Sequence, residues 1–231
     1  MSEPDIKVHR IGREAQPLVV IDNFAPDPDT LRQAAIAARF GPGLHHYPGI
    51  RAPLPADYLP GRQPLIAALL ADIFGQPGPI QIIDASFSMV TTEPGALSID
   101  QRLPHCDAFA VERIALIHYL SPEGGDGTAF FRHRSTGFET VDQARKPIYF
   151  DQLSAEIRYG GEPPSAYVAG DTALFERTML AEARYNRALI YRSWLLHSGA
   201  IGPDALLSAD PAKGRLTVTG FLSVEREGEN R

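Results

Sequence analysis

The strongest constraint on what this chain can fold into is a change of pattern near Ile80. Before it, two stretches read as helices: Pro28 to Arg39, with Asp27 as its cap and Pro28 in its first turn, and Gln63 to Phe74, ending at Gly75. Only Leu18-Val19-Val20-Ile21-Asp22 reads as a strand there. From Ile80 onward the pattern is that of strands: Ile80 to Val90, Arg113 to Leu120, Thr128 to Phe131, Arg187 to Tyr191 and Arg215 to Val224. Helices first and strands afterwards predict a mainly β fold with supporting helices, a double-stranded β-helix or jelly roll of the cupin-like kind.

With 231 residues and 44% hydrophobic content, one domain over 1–231 is the simplest expectation. Residues 1–79 would supply the first strand and the supporting helices. Residues 80–231 would supply the β core, with a long insertion at about 134–184. In that insertion Pro147-Ile148-Tyr149-Phe150 has strand character, and Phe175 to Ala183 fits helix or strand equally. Part of the segment is expected to border a pocket, since long connections in enzymes often serve as substrate loops.

A single cysteine, Cys106, excludes an internal disulfide framework and a thiolate cluster, which suits a reducing interior. Met1 to Glu14 lacks an apolar core of signal-peptide length, and no apolar run approaches a membrane span, so a cytoplasmic protein without membrane contact is expected. A net charge of −6 gives no global attraction to nucleic acid, and none is expected as a partner.

The residues with chemistry lie among the strands. In an extended Pro104 to Asp107, His105 and Asp107 would project to one face and Cys106 to the other. Far downstream, His197 closes the apolar stretch Trp194-Leu195-Leu196. Two histidines and a carboxylate are the ligand set of a non-haem iron(II) site, which leaves coordination positions open. A surface His–Asp pair is the other reading of the tripeptide. Further on, the strand Arg215-Leu216-Thr217-Val218-Thr219 puts Arg215 and Thr217 on one face, where a guanidinium fork and a hydroxyl can hold a carboxylate.

In this order the residues resemble the iron(II)/2-oxoglutarate-dependent dioxygenase superfamily, and within it the prolyl-4-hydroxylase-like branch. The resemblance spans roughly Ile83 to Val224. Three pieces carry it: Leu103-Pro104-His105-Cys106-Asp107 with Arg113 to Ser121 and the turn Gly124-Gly125-Asp126-Gly127; Asn186 to Tyr191 leading to His197; and the Arg215 strand. It implies His105, Asp107 and His197 as Fe(II) ligands and Arg215 as the partner of the distal carboxylate of 2-oxoglutarate, supported by Thr217 and Tyr119. The polar insert between His197 and Arg215 is longer than in many relatives and reads as a surface loop. The implied reaction uses O2 and 2-oxoglutarate, releases succinate and CO2, and hydroxylates a small molecule or a protein side chain.

Two readings from other classes stand beside it: a non-catalytic jelly-roll binding module, and a zinc enzyme using the same ligands. Arg215-x-Thr217 favours the oxygenase, because a hydrolytic zinc site has no need of a distal carboxylate anchor. Of the remaining histidines, His118 should face away from Tyr119 as a packed residue, and His45-His46-Tyr47 reads as an aromatic-polar surface turn, or as the lining of a substrate entrance. Arg132-His133-Arg134 reads as a solvated loop, or as a basic patch for an anionic substrate.

Overall fold

The computed structural model describes residues 3–43, 47–122 and 126–224. His45, His46, Gly124 and Gly125 lie outside the described residues. Two antiparallel sheets face each other. The larger contains β1 (Asp5–Ile11), β2 (Gln16–Asp22), β3 (Gly41–Pro42), β4 (Gly49–Pro53), β5 (Ile80–Val90), β6 (Ile114–Tyr119), β9 (Ala188–Arg192) and β11 (Leu216–Val224). Their order is β1-β2-β9-β6-β11-β5-β4-β3. The smaller has β10 (His197–Gly199) beside β7 (Gly127–His133), which pairs with β8 (Phe175–Glu182). This is the expected jelly roll.

Strand alternation explains the layering. One face of the large sheet, through Val19, Ile21, Phe87, Leu116 and Val218, packs against α1 (Pro28–Ala37) and α2 (Gln63–Phe74). The alternate residues, Leu18, Ala115, Tyr119, Leu189 and Tyr191, face inward and meet Phe130 of β7. Behind the small sheet, Ala129, Phe131 and Phe175 pack on Tyr149 and Leu153 of α3 (Lys146–Gly160). Strand β7 is therefore buried on both faces along its whole length, with Ala129, Phe130 and Phe131 as its apolar centre.

Both N-terminal helices begin and end where local chemistry dictates. The Asp27 carboxylate accepts from the Thr30 amide at 3.0 Å, completing the cap of α1. Gly75, at φ 65°, closes α2 in the left-handed conformation that glycine adopts without penalty.

Three expectations are corrected. The N-terminal part supplies four strands to the large sheet instead of one, because β1, β3 and β4 lack a long apolar run and are held by backbone pairing. Residues 134–184 are no single insertion: Pro147 to Phe150 lie in α3, and β8 is an integral strand of the small sheet. Arg132 and His133 are neither solvated nor a substrate patch. Arg132 pairs with buried Glu139 at 2.6 Å and with Glu176 at 2.9 Å, and His133 Nε2 meets Glu156 at 2.8 Å. Only Arg134 remains half-exposed, beside Asp171.

Among the described residues, no helix is long and apolar enough to cross a membrane.

Candidate metal centre

His105 and His197 approach across a gap that no long strand fills. Pro104 to Asp107 is not a regular strand as expected; it touches β10 by one isolated bridge, with His105 N–H to His197 O at 2.8 Å and the reverse bond at 2.9 Å. Asp107 N–H is tied separately to Ser193 O at 2.8 Å. Three backbone bonds thus fix where the three side chains start.

Those side chains converge. Asp107 Oδ1 lies 3.7 Å from His105 Nε2, its Oδ2 lies 3.3 Å from His197 Nε2, and one donor atom from each residue falls within 4.8 Å of the others. The imidazole centroids of His105 and His197 are 4.6 Å apart. His197 Nδ1 is 2.9 Å from Leu195 O, and a carbonyl only accepts, so the proton sits on Nδ1 and Nε2 is left as a free ligand atom. The donor chemistry and spacing fit a divalent metal bound on one side.

Electrostatics keep the histidines in the ligand form. Burial lowers His197 to about 4, and enclosure in the cavity together with the neighbouring His197 lowers His105 to about 4. Burial raises Asp107 to about 6, opposed by His105 and by Arg51. A cation at the centre would remove the cost of holding that carboxylate charged.

The cluster opens into a cavity of about 940 Å³ between the sheets, walled on one side by Tyr149 and Phe150 of α3 and by Tyr167. Part of 134–184 therefore borders it, as expected. One side of it lies over a rung of the large sheet in which Arg51, Ser88, Thr217 and Tyr119 stand side by side on β4, β5, β11 and β6, and Arg51 and Thr217 of that rung line the cavity. Below that rung Thr219 bonds Ser88 at 2.7 Å, making a hydroxyl shelf where an inward sheet face is usually apolar.

Arg215, just ahead of β11, lines the same cavity. Its Nε donates to Asp126 and its Nη2 to Gly127 O at 3.1 Å. That leaves the Nη1 edge of the fork available to a second carboxylate. Thr217 also lines the cavity, with its hydroxyl donating to Ser88 O at 3.1 Å. Tyr119 lies under the guanidinium at 5.6 Å and its hydroxyl meets Thr128 at 2.7 Å, so the hydroxyl that reaches the cavity there is that of Thr128.

Sequence reading missed Asp126, Thr128, Ser193, Tyr149 and Arg51. Among the described residues, six buried side-chain polar atoms lack a partner; Arg51 Nε, Tyr149 OH and Ser193 Oγ are three of them, and all three residues line this cavity. The only signal available beforehand was the polar alternation Asp84-x-Ser86-x-Ser88, opposite Thr217-x-Thr219. His118 is packed as expected, between Tyr58 OH at 2.7 Å and Asn186 Oδ1 at 3.0 Å. Cys106 lines the cavity and donates to Trp194 O at 3.1 Å, with burial raising its thiol well above the usual range.

Fold and site together define a jelly-roll protein with a His–Asp–His cluster lining a ligand-sized cavity. Within that class the chain belongs to a family of unknown function, DUF6445, whose model matches residues 2–222. No curated protein matches it in sequence. Among solved structures it is similar to HygX from Streptomyces hygroscopicus with nickel and 2-oxoglutarate bound, at 11% identity over 90% of this chain and 83% of that one, TM-score 0.48. It is similar also to a novel N-substituted L-amino acid dioxygenase from Burkholderia ambifaria AMMD, at 10% identity over 98% and 97%, TM-score 0.48. A third is SnoN, the non-heme alpha ketoglutarate dependent epimerase of nogalamycin biosynthesis, at 12% identity over 90% and 78%, TM-score 0.47.

Proposed function

We propose that this protein is a non-haem Fe(II)- and 2-oxoglutarate-dependent oxygenase acting on a small molecule, with His105, Asp107 and His197 holding the metal and Arg215 holding the far carboxylate of 2-oxoglutarate. The observation that carries the reading is the pairing, in one cavity, of a one-sided His–Asp–His donor set with a buried guanidinium whose outer edge is unused. The order of the motifs, which resembles that of the prolyl-4-hydroxylase-like branch, supports the same reading.

Each group has a definable task. His197 and His105 offer neutral nitrogens, and Asp107 offers the one ligand charge. Arg215, braced by Asp126 and Gly127, presents a fixed fork; Thr217 and Thr128 supply hydroxyls beside it. Tyr149, Phe150 and Tyr167, which line the cavity, would position the substrate. When bound, iron with 2-oxoglutarate and O2 supplies the oxidising chemistry, with succinate and CO2 as by-products.

Anaerobic titration with Fe(II) and then 2-oxoglutarate tests it. The expected result is one iron per chain and a weak visible charge-transfer band that appears only with both. Neither bound iron nor a band would leave a non-catalytic binding module.

A further inference from the structure

Arg51, one of three arginines that line the cavity together with Arg113 and Arg215, is poorly occupied. Its side chain is 17% exposed, its Nε is buried without a partner, and its ion pair is a long 3.5 Å contact with Asp84, which is itself 53% exposed. Hydrogen bonds to a charged donor are shorter than that. Tyr47 covers one face of the guanidinium, 4.4 Å away, and a carboxylate would bind through its in-plane N–H donors. A buried donor left unmatched is costly, and a ligand that matches it recovers the cost.

On the reading of the site as an iron and 2-oxoglutarate centre, both co-substrate charges already have partners. The chelating carboxylate faces the metal and the distal one faces Arg215. Arg51 thus keeps a charge for something else. There is room, because about 940 Å³ lies near the top of the range, roughly 300–1,000 Å³, that holds drug-sized ligands, and a five-carbon diacid leaves much of it empty. Part of the remaining wall is apolar: Phe150, 41% exposed, and Ile83, 40% exposed, line the cavity, with Phe109 set edge-on to Phe150 at 5.8 Å.

We propose that Arg51 anchors a carboxylate of the primary substrate, which is therefore a small organic acid with an apolar body. This inference rests on the co-substrate assignment, and its test keeps the two apart. Wild type, Arg51→Gln and Arg51→Lys are loaded anaerobically with Fe(II) and 2-oxoglutarate. Calorimetry then measures binding of hexanoate, 3-phenylpropanoate and N-acetylphenylalaninate, each beside its neutral amide.

At least one acid should bind wild type about tenfold or more tighter than its amide, the worth of one charge-assisted pair. Arg51→Gln should abolish that preference while leaving 2-oxoglutarate affinity within about twofold, and Arg51→Lys should keep part of it. Acids binding no better than amides, or not at all, overturn the proposal. So does an Arg51→Gln protein that loses 2-oxoglutarate as much as the acid, for Arg51 would then belong to the co-substrate. Failure of wild type to take up iron or 2-oxoglutarate would instead sink the co-substrate assignment itself.

Discussion

His105 and His197 exchange two backbone hydrogen bonds, at 2.8 and 2.9 Å, so the distance between the two candidate imidazole ligands is set by main chain rather than by side-chain packing. Replacing either side chain leaves that bridge intact, which makes the donor set separable from the fold.

Asp107→Ala should therefore abolish iron binding, a fall of well over tenfold in affinity, while the apoprotein keeps its circular dichroism spectrum. Metal analysis after dialysis against Fe(II) checks it. Asp107 contributes its fold contact through its amide to Ser193, and alanine preserves that bond.

Arg215→Ala should weaken 2-oxoglutarate by roughly tenfold to a hundredfold, with iron affinity nearly unchanged, since the guanidinium is not among the metal donors. Titration of the charge-transfer band separates the two affinities. Equal loss of both would mean that the Asp126–Arg215 pair supports the fold rather than the co-substrate.

His118 sets a pH limit. Burial lowers it from 6.5 to about 4, and its Nε2–H donates to Asn186 while Nδ1 accepts from Tyr58, so the folded state holds it neutral. The unfolded chain binds a proton below about 6.5 that the folded chain refuses until about 4, so this contribution to stability is present above 6.5 and is lost as pH falls from 6.5 to 4. The loss from this residue is on the order of 3 kcal/mol. Urea denaturation of the metal-free protein across that range should show it, and His118→Asn should flatten the slope.

Glu139 is 2% exposed and accepts from Arg132 and from the amides of Arg13 and Glu14, tying the β1–β2 turn to the small sheet. Removing it leaves buried Arg132 with only the half-exposed Glu176 as a partner and frees the two turn amides. Glu139→Ala should cost about 3–5 kcal/mol by denaturant unfolding. Gly12→Ala should also destabilise, because a Cβ there would meet Glu139 Oε2 at 2.0 Å and φ is +67°.

What could be read beforehand was local. Strand β5 and helix α2 fall on the residues their patterns mark, and the two-residue alternation of His105 and Asp107, and of Arg215 and Thr217, survives into the site. What failed was the non-local part. Strand β8 sits where propensity and periodicity conflict and helix α3 covers the strand-like Pro147 to Phe150, and packing on the small sheet decided both. Charged Arg132 and His133 looked solvated because their buried partners Glu139 and Glu156 come from other segments.

By itself, then, the sequence determined the elements with a clear period, such as β5 and α2, and which donors could bind a metal, because backbone period and side-chain chemistry are local properties. Only the tertiary structure decided that Arg51 shares a rung with Ser88, Thr217 and Tyr119, since that depends on the register of β4 on β5 and of β11 on β6. A register shift of one residue would turn Arg51 to the opposite face of the sheet, and no pattern within β4 announces which register is chosen.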